Sequence, residues 1–406
     1  MFKIFKKKNT VKIITDESRI KEVVERGVEK IFPNDNFLTK KLKEGKRLKI
    51  YMGIDPTGPT LHMGHMVILR KLQQLQKMGH EIVLLIGDFT ARIGDPDKKD
   101  VRKQLTHKEI LDNARLYKSQ SSVFLDFNGS NPADLVYNND WLGKLNFADV
   151  LDLSSKMSVQ QMLERDMFKR RIKEERPIYI HEFMYPLMQG YDSVAMEVDG
   201  EVGGNDQTFN MMAGRHLLKE YKNKEKFVIP MKLLVDSSGD KMGKTTGNML
   251  SFIDSADEKF GKVMSWTDGM ILSGFELLTA IDLGEVQNRL DSDENPKNIK
   301  RDLALDIVEF YHSKEDAESS MENWETQFSR KEVPDNLKEF EFEVGIKILE
   351  VLNGSSLISS NKEGRRKIDE RAVQIDGEKI DDYYFELNSG EFILKLGKKM
   401  IKVLVK

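Results

Sequence analysis

The chain has 406 residues, 39% of them hydrophobic and 32% charged, with 64 basic and 67 acidic side chains and a formal net charge of -3. That is enough apolar material for two or three domains, so disorder is excluded as the main character, and the near-neutral balance excludes a surface that attracts polyanions everywhere. Zero cysteines exclude a disulfide scaffold and thiol catalysis, and the basic start, M-F-K-I-F-K-K-K, has too short an apolar core for a secretory signal, so the expectation is a cytoplasmic protein with no membrane attachment.

Residues 15–47 carry helical periodicity with alternating acid and base, as in Glu22-Val23-Val24-Glu25-Arg26, and are expected to pack as helices ahead of a sheet. The stretch 48–78 then reads strand, turn, helix. Residues 50–54 suit a short buried strand, D-P-T-G-P-T at 55–60 is dense in turn formers, and Ile68, Leu69, Leu72 and Leu75 fall on one helical face that Gly79 is placed to end. His62 and His65 lie three apart in the first turn of that helix, beside backbone N–H groups that have no partner there, and Gly64 keeps the surface between them open. A strand leading through a turn to a helix start is an anion site, because free N–H groups and the helix dipole both favour a phosphate. Two imidazoles add donors; the plainer reading is that they only cap the helix. Zinc is disfavoured, since H-x-x-H has no nearby third ligand.

Residues 81–87 are a nearly continuous apolar run, which suits a strand covered on both faces of a parallel sheet and completes a strand–helix–strand unit. The loop at 88–96, with Thr90 and Asp95, follows the carboxyl end of that strand, where open α/β sheets bind ligands. Lys98, Lys99, Arg102 and Lys103 come next, as a solvated face or as a steering patch beside a phosphate site. Residues 107–136 read as helix then strand; Asn138-Asn139-Asp140-Trp141, taken alone, is only a loop; and residues 147–171 form a charged helical insertion, with about 147–182 as its bounds. Tyr185, Gln189 and Asp192, spaced by four and three, share one helical face. Tyr185 and Gln189 can bind an α-ammonium, and Asp192 can accept a hydrogen bond from a phenolic hydroxyl. Gly203 and Gly204 then allow close backbone approach to a ligand, Asp206 suits ribose hydroxyls, and Gln207 suits a carboxyl group.

Lys241 and Lys244, three apart among glycines and serines and followed by Thr245, put two point charges on a loop. Residues 256–335 turn helical and charged and are expected to form a small helical domain. From about 340 the text changes again to a capped basic helix with Arg365, Arg366, Lys367 and Arg371, and then to strands that carry Lys398 and Lys399.

Asp55-Pro56-Thr57 followed by Leu61-His62-Met63-Gly64-His65 resembles the HIGH signature of class I aminoacyl-tRNA synthetases, and specifically of the tyrosyl-tRNA synthetases. Y-x-x-x-Q-x-x-D at 185–192 and G-G-x-D-Q at 203–207 match the same family, and Lys241-Met242-Gly243-Lys244-Thr245 resembles its KMSKS loop, with Gly243 and Thr245 in place of two serines. The tail is similar to the S4-like RNA-binding module. The resemblance implies a Rossmann-like doubly wound parallel sheet at 48–255 behind an N-terminal helical segment (1–47), an α-helical domain at 256–335 that meets the anticodon stem, and a small α+β S4-like domain at 340–406. It implies Thr57, His62, Lys241, Lys244 and Thr245 on the departing phosphates, His65, Asp55, Gly64, Gly204 and Asp206 on the nucleotide, and Tyr51, Thr90, Asp95, Asn138, Tyr185, Gln189, Asp192 and Gln207 around tyrosine. The implied partners are L-tyrosine, ATP with Mg²⁺ but no dedicated protein metal cage, tRNA(Tyr) and a second copy of the chain. A tryptophanyl-tRNA synthetase shares the phosphate motifs but not the pair Tyr51 and Asp192, which together can bracket a phenol. An RNA-binding protein on a retired synthetase scaffold would be free to lose the histidines and lysines that remain here.

Overall fold

The computed structural model describes residues 11–93, 105–235, 249–326, 337–358, 360–397 and 399–406. Asp95, the lysines at 98–103, Lys241, Lys244, Thr245 and Lys398 lie outside the described residues. The chain divides into two compact units, Met1–Glu318 and Ser319–Lys406.

The first unit opens with two short helices, Glu17–Glu25 (α1) and Asp35–Lys43 (α2), whose starts are fixed by the side chains of Asp16 and Asn34 accepting from backbone N–H groups. Strand Lys49–Ile54 (β1), helix Met63–Lys77 (α3) and strand Glu81–Ile86 (β2) follow as the sequence indicates, and β1 and β2 pair in parallel from Lys49↔Glu81 to Ile54↔Ile86. Gly79 ends the helix at φ +95°, where an added Cβ would sit 2.6 Å from the Lys12 carbonyl oxygen. Helices His107–Ala114 (α4) and Tyr117–Ser121 (α5) lead to strand Asp134–Tyr137 (β3) and helix Asn139–Leu142 (α6).

The insertion resolves into three short helices, Phe147–Ser154 (α7), Val159–Leu163 (α8) and Asp166–Lys173 (α9), because Asn146 and Ser158 each start a fresh capped turn. Helix Ile180–Met196 (α10), strand Gly200–Gly204 (β4), helix Thr208–Lys222 (α11) and strand Phe227–Met231 (β5) complete a five-stranded parallel sheet in the order β3-β2-β1-β4-β5. Its strands β2, β4 and β5 are almost wholly buried, as a sheet covered by helices on both faces requires, while the edge strand β3 is only partly covered. The strand order reverses between β1 and β4, so the crevice beyond their carboxyl ends is the place for a ligand. Helices Ala256–Met264 (α12), Ile271–Leu278 (α13), Leu283–Leu290 (α14) and Pro296–Tyr311 (α15) belong to the same unit. The Arg26 guanidinium ties them to the N-terminal segment by donating to the carbonyls of Phe275, Glu276 and Ile281.

After helix Lys314–Trp324 (α16), the second unit contains strand Glu339–Phe342 (β6), helices Ile348–Gly354 (α17) and Asn361–Asp369 (α18), and strands Val373–Ile375 (β7), Glu378–Lys379 (β8), Gly390–Leu396 (β9) and Lys399–Val405 (β10). They make a mixed sheet in the order β6-β10-β9-β7-β8, over a core that includes Ile348, Leu352, Ile368, Leu394 and Val403. Of the three expected parts, a Rossmann-like α/β core and a C-terminal α+β module are therefore present, and the helices after residue 256, as far as Glu318, fall within the first compact unit.

Candidate active site

The D-P-T-G-P-T turn after β1 is held by its own carbonyls. Those of Pro56, Gly58 and Pro59 accept from Asn113, Tyr117 and Gln120 on α4 and α5, which aims the start of α3 at the crevice. At that start His62 is the N-cap: its Nδ1 accepts from the Gly64 N–H at 3.2 Å, and His65 Nδ1 accepts from the His62 N–H at 3.2 Å. The two rings lie 4.1 Å apart between centroids and are half-buried. An Nδ1 that accepts leaves the proton of a neutral imidazole on Nε2. The caps thus fix the tautomer that presents an Nε2–H donor, and the capping and anion-binding readings of the pair are compatible. A small cleft beside this turn is lined by His62, Gly64, Val67, Gly204, Met231 and Leu234. Met63 N–H donates to the Leu250 carbonyl, and His62 bridges Ser251. The described residues on either side of 236–248 therefore both lie against the first turn of α3.

Behind the turn, a connected set of polar side chains crosses the carboxyl edge of the sheet. Asp55 accepts from Thr90 Oγ1 at 2.6 Å and from the Tyr185 hydroxyl at 2.8 Å. Asn138 Nδ2 donates to Thr90 Oγ1 (3.1 Å) and to Asp192 (3.3 Å), while its Oδ1 accepts from Phe89 N–H, and Trp141 Nε1 donates to the other Asp192 oxygen at 2.8 Å. Gly87 makes room for this, since a Cβ there would meet the Asp55 and Thr90 oxygens at 2.0 and 2.5 Å. Asp192 is 2% exposed. Burial pushes its carboxyl well above the usual range, the Trp141 and Asn138 donors oppose that, and the carboxylates of Glu201 and Asp55 add to the rise.

Tyr51, on β1, is fully buried, and burial followed by the charges of Glu201 and Asp192 pushes its phenol well up. Its hydroxyl lies 2.9 Å from Ser193 Oγ. Lys226, also fully buried, reaches both Ser193 Oγ (2.8 Å) and Glu201 Oε2 (2.5 Å). Burial pushes the Lys226 ammonium down and Glu201 pulls it back. Gln189 Nε2 donates to Glu201 Oε1 at 3.4 Å, and Asn210 Nδ2 donates to Gln207 Oε1 at 2.9 Å, so the orientation of both amides is set from behind.

The structure thus gathers Tyr51, Asp55, Thr57, His62, Gly64, His65, Thr90, Asn138, Tyr185, Gln189, Asp192, Gly204, Asp206 and Gln207 along one edge of the parallel sheet and the turns that leave it. Asp55 is bonded to Tyr185 and Thr90. In the second unit, Arg365 and Arg366 are exposed on α18, where Arg366 and Lys367 also pair with Glu370, and Arg371, just after α18, and Lys399, at the start of β10, are exposed as well. Sequence reasoning missed Ser193, Glu201, Lys226, the Trp141 donor and the 231–234 wall of the cleft. A glutamate inside the apolar run of β4 and a lysine at the head of β5 were the signals, since a buried charge needs a partner. Among the described residues no group of three or more His, Cys, Asp or Glu is placed to hold a metal ion, and no helix is long and apolar enough to cross a membrane.

The family described as tRNA synthetases class I (W and Y) matches residues 43–329. The chain is 42% identical over 397 residues to the tyrosine–tRNA ligase of Carboxydothermus hydrogenoformans, covering 93% of this chain and 95% of that one. It is 41% identical over 400 residues to the tyrosine–tRNA ligase of Moorella thermoacetica, with 96% of each covered. Among solved structures, a C-terminally truncated mitochondrial tyrosyl-tRNA synthetase of Aspergillus nidulans shares the fold at a TM-score of 0.64 and 23% identity, over 77% of this chain and 95% of that one. The tyrosyl-tRNA synthetase of Archaeoglobus fulgidus complexed with L-tyrosine does so at 0.59 and 21%, over 75% and 100%.

Proposed function

The chain belongs to the class I tRNA synthetases (W and Y), and from that premise we infer that it is a tyrosine–tRNA ligase. In the first step an oxygen of the tyrosine carboxylate bonds to the α-phosphorus of ATP. The bond from that phosphorus to its bridging oxygen breaks, and the electron pair leaves with pyrophosphate. The carboxylate is its own nucleophile, so no general base is required. The tRNA 3′-terminal hydroxyl then attacks the activated carbonyl and releases AMP.

Catalysis on this scheme is positioning plus stabilisation of moving charge. His62 and His65 present Nε2–H donors at the start of α3, and Thr57 sits in the turn just before it. Lys241, Lys244 and Thr245 join them on the departing phosphates; the anchoring of Leu250 and Ser251 beside His62 supports this. Mg²⁺ is expected on the phosphates of ATP. The cleft between α3 and residues 231–234 suits the adenine, and Gly204 and Asp206 the ribose. Tyr185, whose proton goes to Asp55, and Gln189, whose N–H goes to Glu201, both turn oxygen lone pairs toward an α-ammonium, with Thr90 beside Tyr185's partner Asp55, and Asp95 is assigned to the same ammonium. Gln207 holds the carboxyl group.

The observation that carries the choice of tyrosine is the buried carboxylate of Asp192, pinned by Trp141 and Asn138 at the end of the crevice where Tyr51 also lies. A phenolic hydroxyl there can both give its proton to Asp192 and accept from Tyr51, whereas an indole N–H can only give. In the second unit, the cations Arg365, Arg366, Lys367, Arg371, Lys398 and Lys399 would grip the phosphates of tRNA(Tyr), leaving 256–335 to meet the anticodon stem and 48–255 to do the chemistry. Phe147, Leu151, Val159, Ile172 and Ile180 are exposed on α7–α10 and support a homodimer through the insertion, working in the cytoplasm.

Tyrosine-dependent exchange of pyrophosphate into ATP is the test; activation of tryptophan without tyrosine, or no exchange at all, overturns the reading. A chain stopped near Asp335 should keep exchange and lose most tRNA charging, and full charging by that truncation would remove the tail from RNA binding.

A further inference from the structure

Lys226, Glu201 and Ser193 have no role in the reaction as written, yet all three are buried beneath the phenol end of the crevice. The space around them is shaped for their contact. Gly190 on α10 packs against α11 where a Cβ would meet Leu217 at 2.7 Å, and a Cβ on Gly214 would lie 2.7 Å from both Lys226 Nζ and Ser193 Oγ. The Lys226 ammonium sits 5.6 Å from the centroid of the Tyr51 ring, so it faces that side chain directly as well as through Ser193.

An ammonium carries donors only, so at Ser193 the hydroxyl oxygen accepts. The Tyr51 and Ser193 hydroxyls, 2.9 Å apart, can each donate to the other, and with its oxygen accepting from Lys226 the Ser193 hydroxyl can give its one proton to Tyr51 Oη. Tyr51 accepts that proton and gives its own to the carboxylate side of the crevice, where Glu201 is a hydrogen-bond partner and Asp192 also faces the phenol. Glu201 favours the charged form of Lys226 against the effect of burial and is itself held from the other side by Gln189.

We infer that the Lys226–Glu201 pair, acting through Ser193, is a positioning device for substrate recognition that fixes the Tyr51 hydroxyl as a hydrogen-bond donor toward the phenolic oxygen of the amino acid. The inference rests on the tyrosine reading above. The ligand oxygen accepts from Tyr51 and gives its own proton to Asp192, an ordered donor–acceptor pair that phenylalanine leaves unmet. Glu201 also links this end to Gln189, so one buried pair sets the geometry at both the phenol and the ammonium of the substrate.

The test measures pyrophosphate exchange with tyrosine and with phenylalanine on three variants. Ser193→Ala cuts the relay and leaves the ion pair whole; Ser193→Thr restores a hydroxyl; the double variant Lys226→Met with Glu201→Gln removes both charges so that neither is stranded. Ser193→Ala and the double variant should lower the tyrosine-to-phenylalanine ratio of kcat/KM about tenfold, the scale of one hydrogen bond. KM for ATP should hold, Ser193→Thr should recover most of the ratio, and Tyr51→Phe added to Ser193→Ala should cost little more. An unchanged ratio in folded Ser193→Ala, or full additivity with Tyr51→Phe, overturns the relay. Unchanged ratios with wild-type tyrosine exchange intact sink the relay alone, whereas absence of tyrosine exchange in the wild type sinks the parent reading and the relay with it.

Discussion

At the Asp192 end of the crevice the polar groups are buried and spend their hydrogen bonds on one another, across β1, β4, α10 and the residues after β3. At the His62 end they are half-buried, borne by a helix start and a turn, and bonded to backbone N–H groups of that same turn. The contrast follows from the two tasks. Telling one amino acid from another requires desolvated groups whose partners are fixed before the ligand arrives, because an unmatched ligand then leaves them unpaired. Assisting the departure of pyrophosphate requires donors that strengthen as charge moves and still let the product leave.

The strongest challenge to that contrast is Lys226→Met alone. It strands the Glu201 carboxylate in the interior and should cost about 3–5 kcal/mol of stability. His62→Ala, which removes a half-buried cap, should cost about 1 kcal/mol. Equal losses in denaturant titrations would show that the two ends are not built differently.

A control at the opposite edge of the sheet sharpens the comparison. His80 is fully buried; its Nδ1 accepts from Leu48 N–H, and Nε2 has no hydrogen-bond partner among the described residues. Burial, aided by the charge of Arg47, lowers its pKa from 6.5 to about 4. The unfolded chain therefore takes up this proton first as pH falls. The contribution is complete above pH 6.5, is lost between 6.5 and about 4, and amounts to about 3 kcal/mol at most. Subtracting the stability curve of His80→Gln from that of the wild type should isolate this slope, with adenylate formation at neutral pH unaffected. A flat difference curve would show that His80 is not held neutral by the fold.

In rates, His62→Ala should slow adenylate formation about a hundredfold while changing tyrosine binding little, and Lys244→Ala should behave alike. Pre-steady-state kinetics separate the two quantities, and equal losses in both would move these residues to the recognition end. Smallest is Tyr51→Phe, which should narrow the preference for tyrosine over phenylalanine about tenfold and leave KM for ATP alone. A change in the ATP parameters instead would break the division.

Much of this was legible in the residues themselves. The strand–turn–helix at 48–78, the helical face carrying Tyr185, Gln189 and Asp192, and the Ser360 cap of α18 are set by neighbours a few positions away, through periodicity, capping and turn chemistry. The order of the motifs then supported the family and, with it, the function. The role of the histidine pair was only half legible: spacing left a cap and an anion site as alternatives, and the Nδ1 bonds show one serving the other.

The relay beneath Tyr51 was decided by tertiary structure alone. In the chain, Ser193 is the residue after a motif, Glu201 sits within a short apolar run and Lys226 precedes another, and each is unremarkable where it stands. They meet because the sheet runs β1-β4-β5, which sets a residue of each strand region side by side, and because α10 and α11 close on glycines above them. A local pattern fixes an element's type and the face it buries. Which buried charge finds which partner depends on strand order and helix approach, which are set by contacts between segments distant in sequence.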